Sequence, residues 1–289
     1  MENIEKNKVE ASTLYLVATP IGNLADISER AKKVLLEVDF VAAEDTRNSA
    51  KLLSAYGIKK ELVSYYEHNK KSSGERIVAR LLTGESCALI TDAGMPAISD
   101  PGEDIVRLCA EANIKVSVIP GASAAVSALA LSGLATGRFA FEGFLSAKDS
   151  ERRKKLETLK SEERTVIFYE APHKLKATLS DMEKIFGGER RISLCRELTK
   201  LNEEIIRTTL SGAVALYNEK EPRGEYVLVV EGTVEAGCVV SGGDNPLLSL
   251  SPREHVEHYI ASGMAKMDAI KAVAKERGVP KSVIYNEMI

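Results

Sequence analysis

With 289 residues, 44% of them apolar and 28% charged, the chain has an ordinary globular composition and is long enough for two or three domains that each bury a core. A formal net charge of −3 excludes a wholesale coat for nucleic acid, although it leaves room for a local basic patch. No apolar run approaches the roughly 18 residues needed to span a bilayer, and the chain opens on polar and charged residues, so the expectation is a cytoplasmic protein that makes no membrane contact.

Thr13 to Ala18 is a fully apolar strand candidate that empties into the loop Thr19-Pro20-Ile21-Gly22-Asn23-Leu24. A helix follows, capped by Asp26 or Ser28, with Ala31, Val34, Leu35 and Val38 at helical spacing. Phe40 to Ala43 reads as the next strand and ends in the charged tetrad Glu44-Asp45-Thr46-Arg47. A helix through Leu52, Leu53 and Tyr56 closes at Gly57, and Leu62 to Tyr65 is a short strand followed by Glu67-His68-Asn69. Ile77, Leu81 and Leu82 mark another helix. Cys87 to Ile90 is then a buried strand that stops in Asp92-Ala93-Gly94-Met95-Pro96, with Asp100-Pro101-Gly102 beyond. Glycines let a backbone approach a ligand closely and prolines stiffen a loop without filling it. A helix from Glu103 to Glu111 and a strand from Val116 to Ile119 lead to a third such loop, Pro120-Gly121-Ala122-Ser123-Ala124.

Strand, loop and helix in series predict a parallel sheet wound with helices, its ligand beyond the carboxyl ends of the strands and the Gly/Pro loops on one rim. No Gly-x-Gly-x-x-Gly occurs, which disfavours a nicotinamide or flavin dinucleotide fold. The second half predicts strands at 139–145, 165–169, 191–195 and 225–231, hence a second α/β domain that is partly antiparallel. Between the first two of these strands runs a helix with Arg152, Arg153, Lys154 and Lys155, a candidate phosphate-facing patch. Residues 235–247 read as a linker. Beyond them, Pro252 opens a helix, Met267, Ile270, Val273 and Ala274 form the apolar face of a second, and Val283, Ile284 and Met288 point inward from a third. The domains expected are therefore 13–122, 123–234 and a helical module at 248–289, a candidate RNA-binding helix-turn-helix. Cys87, Cys109, Cys195 and Cys238 lack metal or redox spacing and read as buried thiols, and His255 and His258 as surface residues.

In combination, Val17 to Leu24, Glu44 to Arg47, Asp92 to Gly102, Pro120 to Ser123, Gly143 to Leu145 and Phe168-Tyr169-Glu170-Ala171-Pro172-His173 resemble the tetrapyrrole (corrin/porphyrin) methylase family, in the branch that methylates ribosomal RNA. The resemblance spans about Thr13 to Glu231. It implies two α/β domains with S-adenosylmethionine in the cleft between them, a homodimer, no metal, and 2′-O-methylation of a cytidine in the decoding region of 16S rRNA. Carried onto this chain, the cofactor lies along Ala93, Gly94, Met95 and Ile98, with Ser123 and Ala124 and with Phe144 and Leu145. Pro20, Gly22, Asp92, Pro120 and Gly121 belong to the same loops. Met95 and Tyr66 stand where the branch often has Thr and His.

A ribose hydroxyl is a poor nucleophile that loses its proton as it attacks, so a base or orienting group beside the methyl is needed. Glu44, Asp45, Arg47 and Lys200 are the candidates, with Glu170 and His173 behind them, and Arg47 and Lys200 could instead hold phosphates. The rival activities are methylation of a tetrapyrrole carbon on the same scaffold and non-catalytic ribosome assembly.

Overall fold

The structure is a computed structural model that describes residues 8–233, 247, 250–277 and 279–288. Its first sheet contains β1 (Thr13–Val17), β2 (Phe40–Ala43), β3 (Glu61–Ser64), β4 (Cys87–Ile90) and β5 (Lys115–Ile119), all parallel, in the order β3-β2-β4-β1-β5. Helices α1 (Glu29–Glu37), α2 (Thr46–Ala55), α3 (Lys70–Leu82) and α4 (Gly102–Glu111) connect the strands. Strands buried on both faces have no polar side to alternate with, hence the unbroken apolar runs Phe40-Val-Ala-Ala and Cys87-Ala-Leu-Ile. One apolar cluster gathers Val34, Leu35, Val41 and Ile90, and another gathers Leu14, Phe40, Ile77 and Ile105. Of the two caps expected for α1, Ser28 accepts the Ala31 N–H, whereas Asp26 sits in a single 3-10 turn that Asn23 caps.

Helix α5 (Ala124–Ser132) leaves the first sheet for the second. Its Ala125, Ala128 and Leu129 pack on Ile167, Cys195 and Val229. The second sheet contains β6 (Phe139–Phe144), β7 (Thr165–Glu170), β8 (Arg191–Arg196), β9 (Glu204–Thr209) and β10 (Tyr226–Val230), in the order β6-β7-β10-β8-β9. Only β6 and β7 run parallel, and the remaining pairs are antiparallel. Helices α6 (Asp149–Leu159), α7 (Pro172–Phe186) and α8 (Leu210–Glu219) complete this half, whose core includes Leu156, Phe168, Leu179, Leu194 and Leu228. Both sheets belong to one compact unit ending at Thr233.

One of the four cations of the basic helix does not face solvent. Arg152 is buried, with Nε and Nη2 donating to Asp181 at 2.9 and 2.7 Å and Nη2 also to Asp149 at 2.8 Å, while Lys155 pairs with Glu142 at 2.6 Å. A buried pair of this kind costs about 3–5 kcal/mol if one partner is removed. It therefore fixes α6 on α7, and Arg153, Lys154 and Lys155 are the exposed cations of the run, Lys155 in its pair with Glu142.

The second unit is helical, with α9 (Pro252–Ala261), α10 (Lys266–Glu276) and α11 (Lys281–Asn286) around Val256, Ala269, Ile270, Val273, Ala274 and Ile284. Pro252 opens α9 beside a capping box formed by Ser251 and Glu254. The expected apolar faces shift slightly: Met267 and Val283 are exposed, and Ala269 takes the inward place. His255 is not a surface residue. It is fully buried, its Nδ1 accepting from Arg277 Nε at 3.3 Å and its Nε2 lying 3.0 Å from Glu276. Cys87, Cys109 and Cys195 are buried free thiols. Cys238 and the expected linker, apart from Leu247, lie outside the described residues.

Candidate active site

Because β4, β1 and β5 are adjacent and parallel, their carboxyl ends deliver the Gly/Pro loops to one rim. Thr19 and Gly94 exchange backbone hydrogen bonds of 2.9 and 3.1 Å, and the Thr19 hydroxyl donates to the Thr91 carbonyl at 3.1 Å. Gly121 lies so close to β1 that a Cβ there would stand 2.8 Å from Ala18 Cβ. The loop after β4 is wound tightly: Gly94, Ala97 and Ser99 have φ of +85°, +65° and +64°, and Asp100 accepts from the Ala97 and Gly102 N–H groups at 3.0 and 2.7 Å. Positive φ at two non-glycine residues is strain held by surrounding contacts, a frequent property of ligand clamps.

The second sheet supplies the facing wall. A register shift in β6 between Phe141 and Gly143, with Gly143 at φ +63°, turns Phe144 outward to 58% exposure. Its ring meets Tyr169 edge-on at 5.4 Å, and Lys174 Nζ stands 5.5 Å from the ring centroid. The turn after β8, with Glu197 and Thr199 at φ +52° and +65°, folds onto the first Gly/Pro loop. A Cβ on Gly22 would lie 2.4 Å from Lys200 Cγ and 2.9 Å from the Leu198 carbonyl oxygen.

Between these walls is a cavity of about 450 Å³, within the usual range for a small cofactor of roughly 300–1,000 Å³. Of the residues expected to hold S-adenosylmethionine, Ala93, Gly94, Met95, Ile98, Ser123, Ala124 and Phe144 line it. Pro20, Gly22, Asp92, Pro120 and Gly121 frame the loops without lining this cavity, and Leu145 is buried in the core of the second sheet. Leu198, Glu225, Tyr226, Val227 and Cys195 also line it. Nothing in their local sequence singles them out; only the pairing of β8 with β10 brings them here.

The four candidates for proton transfer separate by environment. Asp45 is the N-cap of α2, accepting from the Arg47 and Asn48 N–H groups, and those bonds hold its carboxyl below the usual range. Arg47, in the first turn of α2, has a side chain that is 89% exposed, 3.6 Å from Asp45. Lys200 lines the cavity and binds Glu197 and Glu225 at 2.9 and 2.8 Å. Burial disfavours its charge, but the hydrogen bonds to Glu225 and Glu197 outweigh that and raise its pKa, so it is an ammonium at neutral pH. Glu44, at the end of β2, accepts from the Thr91 hydroxyl at 3.3 Å. Burial, then the neighbouring Asp92 carboxylate, raise its pKa above the usual range against the opposing hydrogen bond from Thr91. Of the two reserve candidates, Glu170 is buried and saturated by Thr178, Lys174 and the Ala171 N–H, a brace for the turn between β7 and α7. His173 is exposed at the cavity wall.

Comparison with known proteins agrees with this architecture. The family model described as Tetrapyrrole (Corrin/Porphyrin) Methylases matches residues 13–214. The chain is 52% identical over 277 residues to "Ribosomal RNA small subunit methyltransferase I" of Halalkalibacterium halodurans, covering 96% of this chain and 94% of that protein. It is 49% identical over 283 residues to the protein of the same name from Pseudomonas aeruginosa, covering 97% and 98%. Among solved structures, uroporphyrin-III-C-methyltransferase from Thermus thermophilus superposes with a TM-score of 0.54 at 20% identity, covering 75% of this chain and 94% of that one. Diphthine synthase superposes with a TM-score of 0.59 at 15% identity, covering 77% and 91%. At such identities these two speak for the fold alone. With its parallel sheet, facing antiparallel sheet and matched motifs, the chain belongs to the tetrapyrrole (corrin/porphyrin) methylase family, where curated relatives similar to it across nearly their whole length are named ribosomal RNA small subunit methyltransferase I.

Proposed function

We propose that this protein transfers a methyl group from S-adenosylmethionine to the 2′-oxygen of a cytidine ribose in the decoding region of 16S rRNA. The observation that carries the reading is the cavity where strained glycine loops meet an aromatic wall, with a carboxyl of raised pKa at the neighbouring strand end. The names of the relatives favour RNA over a tetrapyrrole as acceptor.

When bound, the cofactor supplies an electrophilic sulfonium methyl. The chain's own part is to align and to dry the site. The backbone of Ala93, Gly94 and Met95 forms a floor that an added side chain would fill, since a Cβ on Gly94 would stand 3.2 Å from Ile21. Phe144 and Tyr169 shield the opposite side. Glu44 does not line the cavity but is tied by Thr91 to the loop that does, and is the candidate to accept the hydroxyl proton, while Lys200, an ammonium, faces anionic groups in the cavity. Asp45 holds the start of α2, and Arg47, exposed beside it, is placed to meet a phosphate.

A division of the first unit into two α/β domains near residue 122 is supported by the packing of α5 on the second sheet. Exposed Val118, Val126 and Leu131 suit a second copy of the chain, in keeping with a homodimer. No described helix is long and apolar enough to cross a membrane. The helical module from residue 250 onward is a candidate RNA contact.

The test uses small ribosomal subunits from cells lacking the protein, incubated with it and methyl-labelled cofactor, followed by mapping of the label. The expected result is one 2′-O-methylcytidine in 16S rRNA. Absence of label, or label on a base or on protein alone, would refute the reading.

A further inference from the structure

Beside the large cavity, on the far side of the loop that begins at Thr91, is a second pocket of about 330 Å³. Its apolar walls are Leu24 and Leu52, its polar edge is Asn48 with Asp92 and Thr91, and Lys51 stands at its mouth. Leu24 is 51% exposed, yet its turn is built in place: Tyr56 donates its hydroxyl to the Leu24 carbonyl at 2.8 Å, and Asn23 caps the turn. An exposed leucine on a braced turn and Leu52 thus give the pocket an apolar lining of the kind on which the face of a planar base can rest.

At the edge of the slot, Asn48 Nδ2 donates to Asp92 Oδ2 at 3.3 Å. This bond uses one amide hydrogen of Asn48 and one lone pair of Asp92, so a donor and an acceptor remain side by side. Asp92 adjoins Ala93 and Gly94, which line the large cavity, and Thr91 donates to Glu44. The two pockets and the carboxyl of raised pKa thus share one short stretch of backbone. Lys51 is exposed and makes no ion pair among the described residues.

We infer that this slot receives the base of the nucleotide whose ribose is methylated, and that Asn48 and Asp92 read its edge. The inference rests on the methyl-transfer reading above. Asp92 accepts from an exocyclic amine while Asn48 donates to the adjacent ring nitrogen, which is the donor and acceptor order of cytosine. Uracil in the same pose sets a carbonyl against the carboxylate and an N–H against the amide donor. A base held against Asp92 has Ala93 and Gly94, which line the large cavity, as the next residues along the loop, and Lys51 at the pocket for a flanking phosphate.

The test is a titration of the full-length protein, carrying methyl-labelled leucine, with cytidine 5′-monophosphate, uridine 5′-monophosphate and ribose 5-phosphate, followed by NMR with and without S-adenosylhomocysteine. The Leu24 and Leu52 signals are assigned by L24I and L52I. The expected result is that the cytidine nucleotide shifts these two signals, that the uridine nucleotide needs about tenfold more for the same shift, and that ribose 5-phosphate does nothing. N48A should abolish the difference between the two nucleotides. Shifts confined to other leucines, no shift at all, or equal affinity for the two nucleotides would overturn the inference. If the shifts appear as expected but small subunits gain no methyl, the RNA reading falls and the base slot stands; methylated subunits with silent Leu24 and Leu52 give the reverse.

Discussion

Glu44 and Asp45 are neighbours in the chain with opposite fates. Asp45 spends its carboxylate on the N-terminus of α2, whereas Glu44 is pushed toward its protonated form by burial and by Asp92. A base works when deprotonated, so the rate of methyl transfer should fall as pH drops through a value above the ordinary glutamate range. E44Q should lose about 10²- to 10⁴-fold in kcat and with it the acid limb of the pH profile. An E44Q enzyme with unchanged kcat and profile would remove Glu44 from the mechanism. The sequence alone could nominate the charged tetrad at a strand end, because strand ends of a parallel sheet face the ligand. It could not rank the members, because the ranking depends on Thr91 and Asp92, more than forty residues away and brought near only by the pairing of β2 with β4. His255 illustrates the same limit: its helix offers no local sign that Arg277 and Glu276 will enclose it.

At the scale of elements, the first Gly/Pro loop and the turn after β8 are fitted together at Gly22. Substituting Gly22 by Ala puts a methyl where Lys200 Cγ and the Leu198 carbonyl already are, so the Lys200 turn must move. A displacement on the order of 1 Å at a reacting site costs about 100-fold in rate. Gly22→Ala should therefore lower methyl transfer by about that factor while thermal unfolding, followed by circular dichroism, stays cooperative. A variant with wild-type kinetics would show that the turn after β8 is not part of the site. The apolar runs of β1, β2 and β4 were readable because a strand buried on both faces must be apolar throughout. Strand β9 was not: Glu204-Ile-Ile-Arg-Thr-Thr lies at a sheet edge, half-buried, without a clean alternation. Within the basic helix α6 the burial of Arg152 was hidden for a related reason, since a run of cations looks alike whether its first arginine meets water or Asp181.

For the molecule as a whole, two sheets of different style divide the work. The parallel sheet gathers its loops on one rim, and the mostly antiparallel one presents Phe144, Tyr169 and Lys200 to them. The placement of Gly22, Gly94 and Gly121 on adjoining loops follows from the strand order β4-β1-β5, and the proposed methyl transfer depends on the cavity beside them. The most direct test is isothermal titration of the intact protein with S-adenosylmethionine, alongside a Gly94→Val variant whose side chain would enter the space beside Ile21 at a φ of +85°. The account predicts one cofactor bound per chain by the unaltered protein and no measurable heat from the variant. Absence of binding to the unaltered protein, or equal binding by both, would contradict it.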